Sequence, residues 1–476
     1  MSLFITGATV LDGVSDEPLP DRSILVRDGR IEAIGPASQL RAPEGVPVID
    51  ARGAFVIPGL MNANVHLYSE ISVESLVRYE GRYEDIIVES AQIALKNGMT
   101  TVFDTWGPRR FLQNVRDRVA RGDVVGSRIF CAGNIVGFDG PMSADFKLEE
   151  SKTARAAFVN RINAIWVENS GRHLLWMTPD EVGREMREYI ARGIDFVKYG
   201  SNEHYGSSSG ALIAFSPRVQ ARIVEESHNA GITAQSHSMS VEGLHISLEA
   251  GCDLITHCNI TGPVPIPDET LELFAERQSG AVLFPWTDKG LDWLRQHVTD
   301  AEWPLWQSTD INARNLAKSG APLLLANDGS VYSSATRADP PTNSWWGGPP
   351  EDESLGSLET GHFYWLRAME EKGVKPMDLL RAATRNIAVA YRKDADLGTL
   401  EEGKIADLVI LDKDPLLSAA NYRSIRTVIK DGVVVDRETL PERPILTAPL
   451  DGPEPEEAVY KPFLAAGVRA PGCPHL

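Results

Sequence analysis

Cysteine is scarce in this chain. Its 476 residues hold four, Cys131, Cys252, Cys258 and Cys473, none in C-x-x-C spacing. A C-x-x-C redox or zinc motif is therefore excluded, and a reduced, cytoplasmic protein is the simpler reading. Long apolar runs are also lacking, and no stretch approaches the ~20 apolar residues of a membrane span. The opening Met1-Ser2-Leu3-Phe4-Ile5-Thr6-Gly7 has no basic start or long apolar segment, so no secretory leader is expected. Positive charge is in deficit, with 47 Lys and Arg against 66 Asp and Glu, a net charge of -19. That argues against nucleic acid or an anionic membrane as partner. There is no internal repeat and no low-complexity block. What remains, 43% apolar and 24% charged, is an ordinary globular composition. The chain is long enough for a large core and a smaller second unit.

Short strands with explicit turn chemistry fill residues 3–56: Leu3–Leu11, Ser23–Val26, Arg30–Ile34 and Val48–Asp50, with turns at Asp12-Gly13 and Asp28-Gly29. The same texture returns after residue 395, with a turn at Asp431-Gly432. Strand-rich segments at both ends predict one composite β-sandwich from residues 1–56 and 395–440, the alternative being two separate small units. Between them, residues 57–394 alternate strand and helix. The strand segments are 56–66, Thr100–Phe103, Arg128–Cys131, Asp195–Tyr199, Ile232–Ser236, Asp253–His257, Ala281–Pro285 and Pro322–Asn327. Helix starts are marked by Thr178-Pro179 and Ser216-Pro217. Eight such units predict an α/β fold, a (β/α)8 TIM-like barrel. An open doubly wound sheet is the alternative, but no Gly-rich phosphate loop follows the first strand. Two long loops, 134–178 and 329–357, follow strand C-termini, where a barrel keeps its active site. Residues 441–476, rich in proline and acid, read as an extended tail.

The chain is organised around Val56-Ile57-Pro58-Gly59-Leu60-Met61-Asn62-Ala63-Asn64-Val65-His66. In a strand, residues i and i+2 face one side, so Asn64 and His66 can reach a common object. Alone, N-x-H says little, and a lone strand-end histidine is more often a core or rim residue. A lone lysine is more often paired or snorkelling, and a lone Asp-Gly is more often a turn. The signal is joint placement, because Lys198, His237, His257 and Asp328 each end a further strand, and parallel barrel strands converge at that rim. Neutral imidazoles bind zinc and related ions. A lysine amine near dications can take up carbon dioxide, and the carbamate can bridge metals. An aspartate beside metal-bound water, whose pKa falls to roughly 7, can accept its proton and pass it on.

These residues carry a resemblance. With Asp50-Ala51-Arg52-Gly53, Leu380-Arg381-Ala382-Ala383-Thr384-Arg385-Asn386 and Gly398-Thr399-Leu400-Glu401-Glu402-Gly403-Lys404-Ile405-Ala406-Asp407-Leu408-Val409, the chain resembles the amidohydrolase superfamily from Leu3 to about Val435. The resemblance implies a metal-dependent barrel hydrolysing amide, ester or urea-type bonds. It implies Zn2+ or another divalent transition metal, one or two per subunit, held by Asn64, His66, Lys198, His237, His257 and Asp328. It also implies a carbon-dioxide-derived carbamate on Lys198 and, by analogy, a homo-oligomer. The family usually carries H-x-H at the first strand, whereas this chain has Asn64-Val65-His66. An amide oxygen is the weaker ligand, which puts the first metal position in question. N-x-H resembles the phenylurea hydrolase and molinate hydrolase branch, which acts on urea and thiocarbamate herbicides.

The expected substrate is accordingly a small molecule, an N-aryl urea such as diuron or a related carbamate. Asp328 is the expected general base and acid, with Lys198 beside it. Trp106, Trp166, Trp176, Trp286, Trp345 and Trp346 are candidates for an aromatic pocket. His204, Tyr205, Trp286 and, less directly, His173 are candidate substrate contacts. Arg337 is a candidate carboxylate clamp, favouring N-acyl amino acids instead. A barrel that has lost its metals and serves as a scaffold is the reading from another class. His228, His245, His297, His362 and His475 read as structural or surface residues.

Overall fold

The hairpins of the chain ends show the local code at work. The computed structural model describes residues 2–68, 73–204, 212–332 and 354–449. Strand β1 (Ser2–Val10) pairs with β2 (Leu19–Arg27), and β2 with β3 (Arg30–Pro36). Asp28 and Gly29, with φ of 48° and 78°, close the β2–β3 hairpin in the doubly left-handed form that suits strand twist. Asp431 and Gly432 (φ 51° and 75°) do the same between β15 (Ile425–Lys430) and β16 (Val433–Val434). Asp12-Gly13 differs. There Asp12 Oδ1 accepts the Val14 and Ser15 N–H groups, so the side chain shapes a longer loop, residues 11–18, between the antiparallel β1 and β2 in place of a two-residue turn.

Strand β1 runs parallel with β4 (Val48–Asp50) through its first half and with β5 (Phe55–Pro58) through its second. Register shifts on either side of Ala8 make that change possible. Strand β14 (Leu408–Leu411) then pairs antiparallel with β5, Leu411 opposite Phe55 and Leu408 opposite Pro58. Strands from both ends of the chain thus share one eight-stranded sheet. The strand period of two divides its side chains: Val56, Leu408 and Ile410 enter the sheet's own core, while Ile57, Val409 and Leu411 enter the large central core.

Two parallel sheets follow. One holds β6 (Leu60–Val65), β7 (Met99–Asp104) and β8 (Arg128–Cys131). The other holds β9 (Phe196–Gly200), β10 (Thr233–His237), β11 (Leu254–Thr256), β12 (Gly280–Val282) and β13 (Leu323–Leu324). Their edges meet at isolated bridges, Val65 with Gly329 and Val136 with Tyr199. Backbone bonds tighten both seams: Ala63 N to Leu325 O and His66 N to Gly329 O at 2.9 Å, and Val136 N to Lys198 O at 2.8 Å. Gly59 lets the chain bend into β6 against Thr100, whose Oγ1 would lie 2.1 Å from any added Cβ.

Helices follow their sequence signals closely. Thr178 caps Pro179–Ile190 with a full capping box to Glu181. Ser216 precedes Pro217–Asn229 without a side-chain cap bond. The 134–178 insertion, expected as loop, contains the helices Leu148–Thr153 and Ala156–Val167 and a tight turn at Arg172–Trp176. Phe158, Ile162 and Trp166 give its second helix an apolar stripe that must be buried. The tail begins docked: buried Glu89 accepts the N–H groups of Ile445, Leu446 and Thr447 at 2.7–3.0 Å. Among the described residues no helix is long and apolar enough to cross a membrane. Cys131, Cys252 and Cys258 are free and buried.

Candidate active site

Six side chains from five strand ends meet at the rim where β6, β9, β10, β11 and β13 terminate. Asn64 lies within β6 and His66 just past it; Lys198 and His237 lie within β9 and β10, His257 follows β11, and Asp328 follows β13. His66 Nε2 is 3.0 Å from Asp328 Oδ1, and the Asn64 amide nitrogen donates to that same oxygen. His257 Nε2 lies 3.9 Å from Asp328 Oδ2. The rings of His237 and His257 are 4.7 Å apart. Lys198 Nζ donates to Asn64 Oδ1 and to Thr105 Oγ1, each at 3.0 Å. His257 and Asp328 hold left-handed backbone, φ 63° and 52°, a conformation enriched in Asp and His that costs free energy and recurs at functional sites.

Burial dominates the electrostatics. It drives the His257 imidazole down to about 3 against the pull of Asp328. His237 is driven well below its ordinary value by burial and then by His257. Lys198 falls to about 8, opposed by Asp328 and Asp104. Burial also opposes the Asp328 charge, but His257, His66 and Lys198 together hold its carboxyl well below the usual range. Burial thus keeps the His237 and His257 imidazoles uncharged beside the ionised Asp328 carboxylate.

Two members were not singled out from the sequence. Asp104 ends β7, accepts Leu67 N–H at 2.7 Å, and is raised by burial to about 7. Thr105 Oγ1 donates to Asn64 Oδ1 at 2.6 Å. The strand-end rule would have found Asp104 had β7 been extended one residue beyond Phe103. The wall is aromatic. Trp106 stacks on Phe146 at 4.1 Å and meets His66 edge-on at 5.9 Å. His204 packs 4.8 Å from Phe146 and 5.6 Å from His237, and burial lowers it to about 4.

The remaining candidates are dispersed. Trp286 lies in a satellite core with Leu294, Val298 and Trp306. Trp166 packs on Tyr68 and Tyr83. Trp176 is 91% exposed, and His173 is exposed on the same turn. Tyr205, Arg337, Trp345 and Trp346 lie outside the described residues.

Among the described residues, no three His, Cys, Asp or Glu side chains are gathered into a metal cage. The donor chemistry nevertheless fits a divalent cation. Both ring nitrogens of buried His237 and Nδ1 of His66 lack a hydrogen-bond partner, and burial holds the His237 and His257 imidazoles in the neutral, ligating form. A buried polar atom left without a partner calls for an explanation, and a bound ion is one.

Comparison with known proteins agrees. The model of the amidohydrolase family matches residues 55–435. A solved structure of molinate hydrolase is 35% identical with a TM-score of 0.88, over 95% of this chain and 98% of that one. Phenylurea hydrolase B is 34% identical with a TM-score of 0.87, over 94% of this chain and all (100%) of that one. Adenine deaminase 2 of Bradyrhizobium sp. (strain ORS 278) is 34% identical over 125 residues, 24% of this chain and 19% of that protein's length. With four-fifths of its length inside the family model, the chain belongs to the amidohydrolase family and is a hydrolase of carbon–nitrogen bonds.

Proposed function

We propose that the protein hydrolyses the C–N bond of an N-aryl urea such as diuron, or of a related carbamate or thiocarbamate, releasing an amine. The observation that carries this reading is the chain of aromatic contacts from His204 through Phe146 and Trp106 to His66, whose ring is bonded to the Asp328 carboxylate. The likeness to phenylurea hydrolase B and molinate hydrolase supports it. The fold reading that goes with it is a closed (β/α)8 barrel, supported by the bonded seams, in a cytoplasmic homo-oligomer.

His66, His237, His257 and Asp328 would hold zinc or another divalent transition metal, with a carbamate on the Lys198 amine completing a second position. When bound, such a cation polarises the scissile carbonyl and acidifies water. The chain supplies the rest. Asp328 Oδ1 is anchored by Asn64 and His66, which leaves Oδ2, on the His257 side, to take a proton from the attacking water. Asp328 then returns that proton to the departing nitrogen, which leaves as a neutral amine. Trp106 and Phe146 pack the aryl ring and keep water from the leaving group.

The test compares amine release from diuron with hydrolysis of N-benzoyl amino acids by one metal-loaded preparation. Faster turnover of the arylurea is expected. Preference for the N-acyl amino acid would replace the proposed substrate, and inertness towards both would favour the scaffold.

A further inference from the structure

Both ends of the Asn64 amide are engaged. Its oxygen receives Thr105 Oγ1–H at 2.6 Å and Lys198 Nζ–H at 3.0 Å, with Gln235 Nε2 at 3.4 Å. Its nitrogen meets Asp328 Oδ1. An amide's two ends are told apart by what surrounds them. Here donors crowd one end and an acceptor-only carboxylate faces the other. A flipped amide would set oxygen against carboxylate and NH2 against those donors. Thr105 fixes the sense of the arrangement. Lys198 Nζ donates to the Thr105 hydroxyl at 3.0 Å, so the hydroxyl sends its own proton on to Asn64.

We propose that Thr105 is a positioning residue. It locks the Asn64 amide with nitrogen towards Asp328, so that Asn64 orients the carboxylate and is not a metal ligand. The inference rests on Asp328 as the proton acceptor of the proposed reaction. It explains what an amide does in a place where an imidazole would offer a ligand. Asn64 and His66 hold one carboxylate oxygen, and the other keeps its aim. A carbamate on Lys198 would leave its nitrogen one proton, and the Thr105–Asn64 bond would stand.

The experiment uses the full chain, zinc as the probed metal and diuron as substrate. Thr105→Val keeps the shape and removes the hydroxyl. Its kcat is expected to fall about 10- to 100-fold, as for other outer-shell partners, with KM and zinc per subunit unchanged. Thr105→Ser restores the hydroxyl and is expected to recover most of kcat. Asn64→Ala is expected to bind zinc with wild-type stoichiometry. An unchanged kcat in Thr105→Val, or zinc lost from Asn64→Ala, overturns the proposal. If Thr105→Val does not fold, the zinc content of Asn64→Ala decides alone. A wild-type protein inert towards diuron sinks the substrate, and zinc retention in Asn64→Ala still decides the role of Asn64.

Discussion

His66 and Asp328, 262 residues apart in sequence, meet at 3.0 Å across the seam between the two parallel sheets. The contact exists because His66 N–H binds Gly329 O at 2.9 Å, which pins the two strand exits side by side. Asp328 is thereby held beside His66, with His257 on its other side.

Replacing it is the sharpest test of its role. Asp328→Asn keeps the shape and removes the proton acceptor, so kcat is expected to fall about 10²- to 10⁴-fold. Circular dichroism should report an unchanged fold. Wild-type turnover in the folded variant would remove Asp328 from the mechanism.

Acid stability follows from the buried imidazoles. An unfolded histidine takes its proton near 6.5, whereas folded His257 resists to about 3 and His204 to about 4. Between those values the unfolded chain binds more protons, so stability rises with pH and is lost as pH falls from 6.5 towards 4. In chelator-treated protein, Tm of the wild type should therefore drop further than that of His257→Gln between pH 7 and pH 4.5. Parallel melting curves would show that burial does not hold His257 neutral.

The proposed aryl site is tested at Trp106. Trp106→Leu removes the stack on Phe146 and should raise KM for diuron about 5- to 10-fold, the worth of one aromatic contact. A KM that does not move would place the aryl group elsewhere.

Away from the rim, Arg128 at the start of β8 ties its parallel sheet to the terminal sheet by pairing with Asp407 and Asp431. Asp407 is 6% exposed, so Arg128→Ala strands a buried carboxylate and should cost about 3 kcal/mol in chemical denaturation. A loss below ~1 kcal/mol, the range of a surface ion pair, would contradict this.

How much of this the sequence discloses depends on the range of the forces involved. The β2–β3 hairpin rests on two adjacent residues, Asp28 and Gly29, and Thr178-Pro179 marks its helix within one turn, so local chemistry announces both. Asn64, His66, Lys198, His237, His257 and Asp328 can be read because parallel strands converge wherever titratable residues end them. Phe146 could not be read, because its place depends on helices packing within an insertion that reads as loop. Nor could the hand of the Asn64 amide, which is decided by Thr105, Lys198 and Asp328 arriving from three separate strand ends. The left-handed backbone at His257 and Asp328 suits those residue types but is not announced by them.

The central claim is tested most directly by following amine release from diuron while bound metal is removed by chelation and then returned as zinc, with metal per subunit measured alongside. The account predicts that amine release tracks bound metal and recovers when zinc is returned. Fully loaded protein that leaves diuron intact, or amine release that continues after the metal has gone, would contradict it.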